Sequence, residues 1–271
     1  MLNRLLGITS SLRFGNKVGV IGQSSEKVTS SLFAQLHRHD SSLRGCVHMR
    51  TLRRGQYLFR PADTRSCIYS IYAGNLKSYR SLHGGTEKIS GFHFTGELLG
   101  LDALFGHPLR RGAVALNGAT VFVIPVPMII EHLARCAVTR SELLARFYKE
   151  IVELEEHLSL ENLGAERRLA TFVLWAADKL AERSPQASLT LPMSQKDIGN
   201  YLGLVPETVS RVLARFQDRQ WLSIERHNLT VRNWQRLRET AGGLEGGGLN
   251  GATAVAVGYE LRISRSYEQS Q

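Results

Sequence analysis

Four side chains in the C-terminal half bring a carboxylate, a hydroxyl and a guanidinium together at regular spacing. Glu207, Ser210, Arg211 and Ala214 fall at i, i+3, i+4 and i+7, one face of an α-helix. An arginine can grip guanine O6 and N7 with two hydrogen bonds, and a glutamate can accept from cytosine N4. As plain surface residues, Glu207 and Arg211 would form an i,i+4 ion pair worth only tenths of a kcal/mol. The two roles are compatible, because such a pair also orients the arginine.

The flanking residues predict the frame that holds this face. Val209, Val212, Leu213 and Phe216 form the opposite, apolar face, and Pro206 sits where a helix can begin without losing an N–H bond. A shorter helix precedes it, with Ser194 as N-cap, Ile198, Tyr201 and Leu202 apolar, and Gly203 as the turn residue. Two short helices joined by a glycine-containing turn make a helix-turn-helix, here spanning 195–214, whose second helix enters the major groove. Ser194, Gln195 and Lys196 lie at a helix N-terminus suited to a phosphate, and Thr208, Arg215 and Arg226 add candidate phosphate contacts.

Charge is distributed to match. The 271-residue chain carries a formal net charge of +10, which favours a polyanionic partner. From Gly164 to Arg238 twelve Lys/Arg face seven Asp/Glu, whereas from Met128 to Leu163 four face seven. A basic head on an acidic, solvated stalk is the expected arrangement. No apolar run reaches the length of a bilayer span, and Met1 to Leu12 lacks a signal-peptide core, so the reading is cytoplasmic with no membrane partner. The three cysteines, Cys46, Cys67 and Cys136, are far apart and form no CxxC or Cys/His cluster, which argues against a structural metal or a disulfide framework.

Residues 1–30 read as a flexible basic arm. From there to residue 127, short β-branched and aromatic runs such as Ile68 to Tyr72 and Val121 to Ile124 alternate with turns such as Ala73-Gly74-Asn75. That pattern predicts a β jelly roll. From Ser141, within a dimerisation-helix region read as 128–163, the period changes. Leu144, Phe147, Ile151, Leu154 and Leu158 recur at spacings of three and four, with glutamates between them, as in the seam of a homodimeric coiled coil. The next unit, 164–238, begins with a helix from Ala165 to about Arg183 and ends with a hairpin around Arg226-His227, giving a winged helix-turn-helix. Residues 239–271 read as a Gly-rich, disordered tail. The class is therefore α+β: jelly roll, long dimerisation helix, winged helix-turn-helix.

From about Cys46 to Arg238 the sequence resembles the CRP/FNR superfamily of transcription regulators. It is similar to the FNR-type branch, and FixK-like in lacking that branch's cluster cysteines. The resemblance is carried by Asp197-Ile198-Gly199-Asn200-Tyr201-Leu202-Gly203-Leu204 with Glu207-Thr208-Val209-Ser210-Arg211, and by Gly91-Phe92-His93 leading to Gly96-Glu97-Leu98-Leu99-Gly100-Leu101-Asp102-Ala103. It implies a cyclic-nucleotide-binding-type jelly roll joined to a winged helix through one dimerisation helix. It further implies a TTGAT-type half-site in an inverted repeat of double-stranded DNA. The E-x-x-S-R pattern falls on Glu207, Ser210 and Arg211. A loop that touches RNA polymerase falls on Asp102 through His107, with Asp102, Leu104 and Phe105 as contacts, so the protein is expected to be an activator.

The departures are informative. The oxygen-sensing members hold an iron–sulfur cluster on four cysteines, three of them near the N-terminus. Here no cysteine precedes Cys46, the sandwich position of the fourth ligand carries Phe122, and only three cysteines exist. No iron–sulfur cluster or other cofactor is expected. Glu97 and Arg111 could form an effector pocket, but a cyclic-nucleotide receptor follows its arginine with a hydroxyl residue and this chain has Gly112. Haem is a further alternative, through His83, His93 or His107. Two other classes are a signalling module that has lost DNA binding, opposed by the intact Glu207, Ser210 and Arg211, and an enzyme, opposed by the lack of any nucleophile–base pair, phosphate loop or paired carboxylates.

Overall fold

The computed structural model describes residues 47–180, 189–226 and 228–242. The expected basic arm, Cys46, the end of the Ala165–Arg183 helix, His227 and the tail beyond Gly242 lie outside them.

Eight strands build the N-terminal unit: β1 (His48–Leu52), β2 (Tyr57–Phe59), β3 (Cys67–Ala73), β4 (Leu76–Ser81), β5 (Glu87–His93), β6 (Leu98–Leu99), β7 (Gly112–Ala115) and β8 (Ala119–Pro125). They form two antiparallel four-stranded sheets in the orders β1-β8-β3-β6 and β2-β7-β4-β5, the two-sheet arrangement of a jelly roll. The strands form where β-branched and aromatic residues concentrate. In β3, Ile68, Tyr69 and Ile71 are almost fully buried and pack with Leu58, Leu76, Val121 and Ile124.

At Pro125 the chain turns into α1 (Val126–Arg135), with Pro127 in its first turn, and then α2 (Ala137–Leu160). The sequence pattern reads 128–163 as one helical region; the structure breaks it at Cys136, which is extended (φ −114°, ψ 103°). The break lets α1 stay on the jelly roll through Val126 and Ile129 while α2 leaves it. His132 and Thr139 close the bend with a buried 3.0 Å hydrogen bond.

The C-terminal unit comprises α3 (Ala165–Leu180), β9 (Leu189–Thr190), α4 (Gln195–Leu202), α5 (Pro206–Asp218), β10 (Leu222–Glu225), β11 (Asn228–Val231) and α6 (Trp234–Ala241). The expected hairpin is β10 with β11, and β9 adds a third strand on the far side of β11. The expected domain end at Arg238 is moved outward. Helix α6, capped by Asn233, runs to Ala241 and buries Leu237 against the core of this unit, so Glu239 to Ala241 are helix and not tail.

The C-terminal head also rests on the jelly roll, while α2 stays largely exposed. Ile89, Phe92, Phe94 and Leu116 of the jelly roll belong to the same buried cluster as Leu169, Phe172, Ile198 and Leu202 of the C-terminal unit. The two units share a core.

Candidate nucleic-acid interface

Helices α4 and α5 are the expected pair. Ser194 caps α4: its Oγ accepts from the Asp197 N–H, and the Asp197 carboxylate accepts from the Ser194 N–H and Oγ, a reciprocal capping box. Gly203 ends α4 in the left-handed conformation (φ +67°), which a side chain would oppose. The turn then folds back so closely that the Leu204 carbonyl lies 2.6 Å from where a Cβ on Gly199 would sit, and the Leu204 N–H donates to Gly199 O. Only glycine fits at 199, and this contact sets the angle between the two helices.

Helix α5 buries Val209, Val212, Leu213 and Phe216 and exposes Glu207, Ser210, Arg211 and Ala214. The thirteen-residue helix, about 20 Å long, is long enough to lie in a major groove. The Glu207–Arg211 pair that a purely structural reading would give is not formed. Neither residue makes a hydrogen bond or ion pair among the described residues, so both side chains face outward unengaged.

The candidate phosphate contacts divide. Ser194, Gln195 and Lys196 are exposed at the start of α4, Thr208 is half-buried in the first turn of α5, and Arg226 stands exposed at the wing with φ +58°. Arg215 is exposed too, but its guanidinium pairs with Glu166 of α3 at 2.5 Å, and Arg219 reaches the same carboxylate at 3.7 Å. Sequence reasoning missed Glu166 as the tether of Arg215. It also missed Arg168, whose guanidinium donates to Leu202 O at 2.8 Å and ties the end of α4 to α3. An arginine near a helix end reads in sequence as one more surface cation.

The expected dimer seam is also split. Leu144, Ile151, Leu154 and Leu158 lie on the exposed side of α2, where Val138 and Tyr148 join them. Phe147 turns inward to the jelly-roll core and meets the Phe105 ring at 6.1 Å. Phe105, in the tight turn Leu101–Phe105 between Gly100 and Gly106, is 66% exposed all the same. Leu104 packs on the core, and the Asp102 carboxylate accepts from the Arg110 N–H at 3.3 Å.

Glu97 and Arg111 are engaged by helices. One Glu97 oxygen lies 3.1 Å from Lys179 Nζ of α3, the other 3.4 Å from His93 Nδ1, and Lys179 continues to Glu153 of α2 at 2.9 Å. Arg111 pairs with Glu150 of α2 at 3.1 Å. Burial would raise the Glu97 pKa, but the hydrogen bond from His93 and the charge of Lys179 overcome it and hold the carboxyl at about 2. Because the folded value lies below the ordinary 4.5, Glu97 adds stability that is complete above that value and is lost as pH falls towards 2. Denaturant titrations of wild type and Glu97→Gln should therefore differ at neutral pH and converge in acid; a pH-independent difference would refute the assignment. At Gly112, a Cβ would run into the Tyr79 ring, so no hydroxyl side chain can follow Arg111.

A Crp-like helix-turn-helix domain model matches residues 167–240, and a cyclic nucleotide-binding domain model matches residues 49–136. The fumarate and nitrate reduction regulatory protein of Vibrio cholerae is 36% identical over 194 residues, covering 70% of this chain and 77% of its own. The chain belongs to the CRP/FNR family. The structure of FixK2 from Bradyrhizobium japonicum aligns with a TM-score of 0.66 at 28% identity, over 72% of this chain and 96% of that one. A CooA mutant from Carboxydothermus hydrogenoformans aligns with a TM-score of 0.65 at 18% identity, over 79% and 96%, a likeness of fold alone. As a CRP/FNR member the protein is a DNA-binding transcription regulator, in a family of regulators and not of enzymes. Among the described residues no helix is long and apolar enough to cross a membrane.

Proposed function

We propose that the protein works as a FixK-like homodimer in the cytoplasm, binds an inverted repeat with TTGAT-type half-sites, and activates transcription by contact with RNA polymerase. The observation that carries this reading is the outward, unengaged Glu207–Ser210–Arg211 face, supported by the exposed apolar stripe of α2. Exposed Phe105 and the capped turn around Asp102 supply a surface for the polymerase. Selection of bound fragments from genomic DNA should recover inverted TTGAT-type repeats upstream of promoters. Recovery of a single unpaired motif, or of no motif, would refute it.

The regulator is further proposed to act without a bound cofactor. Three cysteines cannot supply the four thiolates of the FNR pattern, and Phe122 on β8 packs edge-on against Tyr72, centroids 5.3 Å apart. A cyclic nucleotide does not suit the residues at the matched domain either. Glu97 is held by Lys179 and His93, Arg111 by Glu150, and position 112 has no room for a hydroxyl. Protein purified without oxygen should contain no stoichiometric iron, and its DNA affinity should be the same with and without air. A brown preparation carrying iron and sulfide would overturn this.

A further inference from the structure

Strand β5 is the outer strand of its sheet, and an outer strand presents unpaired backbone groups. Part of that edge is met by one side chain of the helix-turn-helix. Asn200 Oδ1 accepts from the Ile89 N–H at 2.6 Å, and Asn200 Nδ2 donates to Glu87 O at 2.9 Å. The amide thus stands in for a neighbouring strand. Lys88 Nζ donates to Asn200 O at 2.6 Å, and Lys77 of β4 pairs with Asp197 at 2.6 Å. Beneath these contacts the Phe92 ring lies 5.1 Å from Tyr201, and His157 of α2 stacks on Tyr201 at 4.3 Å.

We infer that the jelly-roll strand β5 is the seat that orients the reading head of its own chain, and that Asn200 is the positioning residue that fixes α4 on it. The angle between α4 and α5 is set by Gly199 and Leu204, so holding α4 also aims α5. In the docked position Glu207, Ser210 and Arg211 remain exposed, so docking does not cover the DNA-reading face. Its effect is pre-organisation: two heads already aimed lose less freedom when they engage two half-sites together. A single half-site needs no such alignment.

The inference rests on the dimeric, inverted-repeat reading, and the test separates the two. Wild type, Asn200→Ala and Asn200→Asp are titrated against an inverted repeat and against a duplex with one half-site, over a salt series. Asn200→Ala should bind the repeat about tenfold more weakly, as expected for removing a pair of hydrogen bonds, with half-site affinity and salt slope unchanged. Hydrogen exchange at the Ile89 amide should speed up. Asn200→Asp keeps the acceptor for Ile89 but sets a carboxylate oxygen against Glu87 O, so it should weaken repeat binding at least as much as Asn200→Ala. Lys88→Met, on the jelly-roll side, should repeat the pattern more weakly if Asn200→Ala does not fold. Equal weakening on both duplexes would make Asn200 a direct DNA contact and overturn the inference. Unchanged binding, or tighter binding to the repeat, would overturn it as well. A wild type that binds the repeat no better than the half-site would fail the dimeric reading itself, and the inference with it.

Discussion

Leu154→Asp should convert the proposed dimer to monomer at micromolar concentration. Helix α2 is 24 residues long and, among the described residues, fully buries only Thr139 and Leu143. Its Leu144, Tyr148, Ile151, Leu154 and Leu158 are each about half exposed or more, a row of large apolar side chains turned to solvent. Covering such a row against a second copy removes it from water at roughly 1.5–3 kcal/mol for each fully buried side chain. An aspartate at the middle of the row would set two carboxylates opposite each other across a two-fold axis. Burying unpaired charge costs several kcal/mol and reverses the local gain. Phe147 provides the contrast. It packs on its own jelly roll beside Phe105, so Phe147→Ala should lower the melting temperature and weaken dimerisation much less. Light scattering and thermal melts on both variants check the pair. A Leu154→Asp protein that stays dimeric would show that this row is not the interface.

How much of this was readable in the sequence follows the separation of the residues involved. The division of α5 into an exposed Glu207, Ser210 and Arg211 face and a buried Val209, Val212, Leu213 and Phe216 face was legible because all lie within one helix, where a period of 3.6 sorts them without further information. The jelly roll was legible from local alternation and turns. The bend at Cys136 was not, because helical periodicity continues on both sides and only the competing pull of the jelly roll on α1 selects a break. Helix α6 was hidden because it fully buries only Leu237, with Trp234 and Ala241 partly buried beside it, too few apolar positions to display a period. The docking of α4 on β5 was the least visible. Asn200 contacts residues 111 and 113 positions away in the chain, and a lone asparagine in a helix carries no mark of its partner. For the same reason Glu97 and Arg111 read as candidates for a ligand, since their partners Lys179 and Glu150 come from helices whose position the sequence does not specify.

Arg211→Ala should collapse sequence discrimination. The Arg211 guanidinium is exposed on α5 and makes no hydrogen bond or ion pair among the described residues, so it can reach a guanine without first breaking an internal contact. A bidentate contact of this kind is worth about 1–3 kcal/mol in each half-site, and two half-sites double it. The weakening on an inverted TTGAT repeat is then roughly thirtyfold to about twenty-thousandfold. Nonspecific binding, which rests on phosphate neutralisation, should change little. Lys196 is the reverse case: it is exposed at the N-terminus of α4, where a phosphate would lie. Lys196→Ala should weaken all sequences about equally and reduce the slope of log affinity against log salt by about one for each phosphate no longer neutralised. Arg215→Ala should fall below both in effect, because the Arg215 guanidinium is already paired with Glu166. Titrating the three variants against the repeat and a scrambled duplex over a salt series separates base reading from phosphate binding. If Arg211→Ala weakens both duplexes by the same factor, Arg211 is a backbone contact and the base-reading role passes to other residues of α5.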